Sequence, residues 1–336
     1  MDSLKKFTEI ILTIIFVSTG VTALILFNVD RRAFTAEIYQ QAFASTDFYN
    51  TLPADMAKVM LSSTTDASQL PFVMRGMSGE AWEGYFRAML SQETLKAMGD
   101  EVLNSTFTYL NMQTDSIQIS LIPLKASMAG ESGVQAVYTL LNTQPDCTLE
   151  QIAQTTINLL TNSEIQFCNP PANLLPILTP IIQGQMQAVT LVIPDHLTLI
   201  SAPSQNDPRD NLLAMRMVFR LSPILPLVFL FFLTLLTVNS LRSWLKVWGV
   251  SLFIIGFLTG VISLIGAPIF GTILKIVLIN RLLASLPALF LDYANNIAST
   301  MLQAILNPIL WQGLMIALIG LIMTIVSSFI KRRSAT

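Results

Sequence analysis

The sequence predicts a mainly α-helical membrane protein. It should have four transmembrane helices and an extracytoplasmic helical domain carrying a small two-stranded β element. Three observations predict it. Uncharged apolar runs occupy 10–27, 221–238, 247–274 and 310–330, and about 20 apolar residues at ~1.5 Å rise each suffice to cross the hydrocarbon of a bilayer. The chain is 52% hydrophobic and 12% charged, with a mean hydropathy of +0.60, the balance of an integral membrane protein. Finally, the hydrophilic stretch 33–215 is patterned mostly at helical spacing, with only two short alternating segments.

Residues 1–32 read as an N-terminal signal anchor and first span. Lys5 and Lys6 precede the apolar run, and the exit, Phe27-Asn-Val-Asp-Arg-Arg, offers no A-x-A cleavage pattern. A cleaved signal peptide normally has a shorter apolar core.

The domain at 33–215 holds seventeen Asp and Glu against six Lys and Arg, a net of −11. That balance speaks against nucleic acid and against docking on anionic lipid, both of which select Lys and Arg. Trp82, Tyr85, Phe86 and Met89 follow the i, i+3, i+4, i+7 spacing of a core-facing helix face, with Ser78 placed to cap it. Leu95, Met98, Val102 and Tyr109 mark a helix over 92–111, and further helices are expected at 33–45, 53–61, 130–141 and 172–188. Thr148-Leu-Glu-Gln is a capping box opening another. Residues 116–122 alternate as a strand and 196–201 less cleanly so, a ribbon that needs helices to pack on.

Residues 216–336 form the membrane domain, with spans expected at 221–238, 247–271 and 310–330. A helix running unbroken from Asn211 should enter the second span. The third span contains Gly256-Phe-Leu-Thr-Gly260, with Gly249 and Gly266 further along. Small residues four apart let helix backbones approach closely, so Gly256 and Gly260 are candidate helix-packing residues. Between spans, 272–308 carries Arg281, Ser285, Asp292, Asn296, Ser299, Gln303 and Asn307, mostly three or four apart, opposite Leu, Ile, Phe and Met. This reads as an amphipathic surface helix punctuated by Pro287 and Pro308. A pore-lining stripe is the sharper alternative, although ion carriers usually keep a charge within their spans.

Cys147 and Cys168 are the only cysteines, each beside a proline-bearing turn. In an exported domain they should form a disulfide, contributing ~3 kcal/mol by restricting the unfolded chain. In a cytoplasmic domain they would be two thiols, and as a zinc site they lack further ligands. His196 is the only histidine, so the usual histidine-rich metal and nucleophile–base arrangements are not available. No glycine-rich phosphate loop is present, and no cofactor is expected. A carboxylate pair stays open, because Asp and Glu are plentiful and nothing singles one out.

The segments Pro145-Asp-Cys-Thr-Leu-Glu-Gln151, Cys168-Asn-Pro-Pro171 and Ile122-Pro-Leu-Lys125 resemble those of a recurring type of uncharacterised bacterial integral membrane protein. That type has an N-terminal anchor, an exported helical domain and C-terminal spans. The resemblance implies a bacterial envelope protein and imports no activity.

The expectation is therefore a multi-pass plasma-membrane protein with its large domain on the extracytoplasmic side. Lys5, Lys6, Arg242, Lys246, Lys331, Arg332 and Arg333 would lie inside, against Arg31, Arg32, Arg216, Arg220, Lys275 and Arg281 outside, a small bias. Its expected partners are the lipid bilayer and either another protein or a second copy, not nucleic acid. Its expected function is non-catalytic, the exported domain binding or organising a partner. Two other classes stay open: a channel or transport accessory using the polar face of 281–307, and a membrane-anchored enzyme of unknown chemistry.

Overall fold

The structure, a computed structural model, describes residues 2–62, 77–148, 150–151, 168–203, 205–237, 240–282 and 288–330. In chain order the elements are α1 (Asp2–Ala33), α2 (Ala36–Ser45), α3 (Phe48–Ser62), α4 (Gly79–Met89), α5 (Gln92–Leu110), β1 (Ser116–Ser120), α6 (Ile122–Ala129) and α7 (Glu131–Leu141). They continue with α8 (Leu175–Val192), β2 (His196–Ser201), α9 (Pro208–Leu221), α10 (Ile224–Thr237), α11 (Leu241–Leu282) and α12 (Ala288–Phe329). The class is mainly α with one two-stranded antiparallel sheet.

The chain divides into two compact units, Met1–Ala42 with Pro203–Thr336, and Phe43–Ala202. The first holds four helical stretches long and apolar enough to cross a membrane: Phe7–Ala33, Pro208–Leu236, Leu241–Ile273 and Ala294–Phe329. Its core gathers Phe16 and Val21 of α1, Leu230 and Leu233 of α10, and Ile255 of α11. Leu227, Phe231, Leu235, Leu264 and Met315 stay exposed, as lipid-facing side chains of spans do.

Two expectations about this unit are corrected. The helix from Asn211 is not continuous, because a turn at Ser222 and Pro223 separates α9 from α10. Proline has no N–H to continue the ladder, and the Ser222 hydroxyl donates to the Phe219 carbonyl at 2.7 Å. Nor is 272–308 a separate amphipathic helix. α11 runs on to Leu282, and α12 passes straight through Pro308. Each has 42 residues, about 63 Å at ~1.5 Å per residue, roughly twice the hydrocarbon thickness. Pro308 is accommodated because a neighbour replaces its missing donor. The carbonyl it leaves unpaired four residues back, that of Ala304, accepts from Arg32 Nη1 of α1 at 3.4 Å.

α11 and α12 form an antiparallel hairpin, and glycines explain how close the two helices lie. A Cβ on Gly256 would lie 2.3 Å from Ala317 N and 2.4 Å from Gly313 O; one on Gly320 would lie 2.3 Å from Phe253 N and 2.6 Å from Gly249 O. Gly249 thus faces Gly320, and Gly256 faces Gly313. The repeat along each helix is seven residues, not four. Gly260 brings its backbone N to the seam, 3.1 Å from a Cβ placed on Gly313, but its own added Cβ would meet only Leu310 Cδ1, at 3.9 Å.

The second unit is built around aromatic side chains. Ala57 of α3, Met77 and Trp82 are buried together, with Tyr85, Phe86 and Leu140 packed on them. Trp82 stacks on Phe86 at 5.6 Å. Ser78 caps α4, accepting from Ala81 N at 3.2 Å, as its position predicts. β1 and β2 pair antiparallel with an irregularity between Ile117 and Gln118, where the Gln118 N–H is taken by Ser105 Oγ of α5 at 2.9 Å. β1 ends at Ser120 because Pro123 starts a helix, α6, that the strand pattern over 116–122 did not anticipate.

Candidate functional site

A cleft of the second unit lies where α7 ends and α8 begins. α7 stops at Leu141, and Asn142, Thr143 and Gln144 turn the chain with their N–H groups bonded to Tyr138, Leu140 and Leu141 carbonyls. The chain then meets itself. Cys147 N donates to Asn169 O at 3.0 Å and Asn169 N to Pro145 O at 2.9 Å, a parallel bridge between Asp146 and Asn169. The Asn169 side-chain amide adds a bond to Asp146 Oδ1 at 2.9 Å. The structure joins Cys147 to Cys168 as a disulfide, with their Cα atoms 4.9 Å apart. From the other side, the Tyr138 hydroxyl reaches Thr179 Oγ1 at 2.7 Å and the Leu175 carbonyl at 3.2 Å, tying α7 to α8.

These ties frame a cleft of about 650 Å³ lined by Gln135, Tyr138, Asn142, Asp146, Cys147, Asn169, Pro170, Pro171, Ala172 and Leu175. That volume is in the range of small-molecule pockets. Among these lining residues the polar groups are amides, a phenol and one carboxylate. The carboxylate, Asp146, is already engaged by Asn169. Such a wall recognises by hydrogen bonding. Of the two cysteines expected as a disulfide, Cys147 thus lines a pocket, a role that spacing alone does not reveal. Beyond the cleft, Thr148 and Gln151 form the expected reciprocal capping box, Thr148 N to Gln151 Oε1 at 3.0 Å and Gln151 N to Thr148 Oγ1 at 3.3 Å. The helix it would open lies outside the described residues.

The other sequence candidates are not drawn together. Asn296, Gln303 and Asn307 are exposed on α12, while Ser299 is half-buried and donates to the Asn296 carbonyl at 2.8 Å. Ser285 lies outside the described residues, as do the side chains of Arg281 and Asp292. His196 is exposed at the start of β2. Beside it, the hydrogen-bonded Lys125 ammonium holds the Asp195 carboxyl below the usual carboxylate range. Arg209 does the same for Asp207, the N-cap of α9. Burial, with Asp100 adding to it, pushes the Tyr49 phenol up to about 12. Among the described residues no three His, Cys, Asp or Glu converge as metal ligands.

Two arrangements in the first unit escaped the sequence reading. Asn28 and Gln312 exchange amide hydrogen bonds of 2.7 and 3.2 Å between α1 and α12. Asp30, 2% exposed, is held by Arg216 at 2.9 Å and Arg220 at 2.8 Å. The signal for both was present: isolated polar residues at the end of an apolar run call for partners. Periodicity does not say which partners.

The four apolar helices make this a multi-pass membrane protein. Comparisons with protein-family models, curated proteins and solved structures found no match. The resemblance to an envelope-protein type therefore stands on its short motifs alone.

Proposed function

We propose that the protein is a non-catalytic binding protein of the cell envelope, anchored by its spans and displaying the unit 43–202 outside the cytoplasm. There the cleft between α7 and α8 takes a polar partner or ligand. The observation that carries this reading is the cleft itself, about 650 Å³ with an amide-rich wall, pinned by a disulfide of a kind that persists where the medium is oxidising. Side is tested by Leu191→Cys, since Leu191 is 84% exposed. In intact cells an impermeant thiol reagent should label it without permeabilisation; labelling only after permeabilisation reverses the topology. Binding is tested by a photo-crosslinking residue in place of Asn142 in the full chain. A discrete adduct is expected from Asn142, none from the same residue at Leu191, and its loss on Gln135→Trp, which fills the cleft. No adduct at Asn142, or substrate turnover by the purified protein, would sink the proposal.

One observation favours a second reading. Asn296, Gln303 and Asn307 form an exposed polar row on a helix of spanning length, as a transport accessory would need. Liposome flux left unchanged by Gln303→Leu and Asn307→Leu removes it.

A further inference from the structure

The sequence assigned Arg31, Arg216 and Arg220 to nothing beyond charge at the ends of spans. The structure collects them. Phe27, Asp30, Arg31 and Thr35 of the first unit, with Arg216 and Arg220 of α9, line a pocket of about 420 Å³. Asp30 accepts from the Nε of Arg216 at 2.9 Å and the Nε of Arg220 at 2.8 Å, so its two oxygens hold both guanidinium groups on one carboxylate. Arg216 is fixed further by its stacking over Phe34 at 4.7 Å. Arg31 lies over Phe27 at 5.5 Å, which orients its guanidinium without consuming its donors.

Three guanidinium groups against one carboxylate leave a formal charge of +2. Arg220 keeps its side chain 61% exposed, and among the described residues its Nη groups make no hydrogen bond. Arg31 is also exposed. The pocket therefore presents oriented N–H donors, excess positive charge and room for a compact anion. Guanidinium forks match phosphate oxygens bidentately, so the chemistry selected is a phosphate.

The location identifies which phosphate. The pocket lies at the last turn of the apolar stretch Phe7–Ala33 and within Pro208–Leu236. On α9 and α10 the exposed apolar side chains Leu221, Ile224 and Leu227 follow on from Arg220. A charged headgroup site whose wall continues as exposed aliphatic surface suits a molecule with an anionic head and acyl chains. We propose that Arg31, Arg216 and Arg220, with Asp30 as their positioning residue, bind the phosphodiester headgroup of an anionic membrane lipid. This is independent of the cleft in the second unit. The sequence expectation against docking on anionic lipid concerned the acidic stretch 33–215, and Arg31, Arg216 and Arg220 lie outside it.

The test is native mass spectrometry of the detergent-purified full chain, titrated with equimolar phosphatidylglycerol and phosphatidylcholine. The wild type should retain phosphatidylglycerol in preference. Arg31→Gln/Arg220→Gln should lower that preference about tenfold, without losing monodispersity, because both side chains are exposed. Arg242→Gln/Lys246→Gln removes the same charge in the first turns of α11, past the far end of α10, and should leave the preference unchanged. Equal loss in both double variants would reduce the effect to general surface charge and overturn the site. No preference in the wild type overturns it as well. Displacement of the lipid by excess inorganic phosphate would show that a soluble anion is the occupant, and would overturn the lipid assignment.

Discussion

The α11–α12 hairpin and the α3–α4–α7 core solve the same problem by opposite means. In the core, Trp82, Phe86 and Met77 gather large apolar surfaces away from water, and the burial of that area is itself the driving force. In the hairpin the surroundings are as apolar as the side chains, so burying more of them gains little. There the helices approach until backbone meets backbone at Gly249, Gly256, Gly313 and Gly320, and dispersion with a few interhelical hydrogen bonds holds them. Ser263 Oγ donating to the Leu306 carbonyl at 2.7 Å is a bond of that kind, and Trp248 Nε1 donating to Thr234 Oγ1 at 3.0 Å ties α11 to α10 in the same way. Size stabilises the first region, and the absence of side chain permits the second.

Substitutions at six positions would break or sharpen the contrast. The largest effect should come from Trp82→Ala, which empties a side chain only 4% exposed and should cost about 3–5 kcal/mol. Chemical denaturation followed by fluorescence would measure it, and a loss below ~1 kcal/mol would show that the aromatic cluster is not the core. In the hairpin the sign of size reverses. Gly256→Ala places a methyl 2.3 Å from Ala317 N, so the helices must part, at about 1–3 kcal/mol. Gly260→Ala, with 3.9 Å to its nearest neighbour, should leave the melting temperature in detergent nearly unchanged. Equal effects at the two glycines would restore the four-residue motif and discard the seven-residue seam.

Next comes a pH effect in the second unit. Tyr49 is 5% exposed and its phenol is pushed up to about 12. In the unfolded chain it ionises near 10, so this contribution is fully present below pH ~10 and is lost as pH rises toward about 12. Tyr49→Phe should flatten that part of the stability profile. An unaltered slope would mean that the phenol is hydrated. The smallest effect belongs to Asn28 and Gln312. Either single change to Leu strands a partner amide, whereas the double change to Leu does not. The cycle should give a coupling of about 0.6 kcal/mol, and zero coupling would mean that each amide finds other partners.

Much of the fold was legible because local rules decide it. The four apolar runs, the β2 strand at His196–Ser201, the Ser78 cap and the Thr148–Gln151 box follow from composition, alternation and backbone donors within a few residues of one another. The helical break at Pro223 was misjudged although proline is visible in the sequence. Pro308, equally visible, breaks nothing, because Arg32 of another helix serves the carbonyl it leaves unpaired. The same residue type therefore has opposite consequences according to what stands beside it.

By itself the sequence determined which segments are apolar enough to span, where most helices begin, and that Cys147 and Cys168 stand alone as potential partners. It also determined the presence of glycines in the third span, but not which of them touch. Only the tertiary structure decided that an added Cβ would strike the partner backbone at Gly256 but not at Gly260, that Asp30 gathers Arg216 and Arg220, and that Asn142, Asp146 and Asn169 face one cleft. The physical reason is range. Propensity, capping and hydropathy act through neighbours a few residues apart. Close packing and charge pairing act through space, between groups such as Asp30 and Arg216 that are 186 positions apart in the chain.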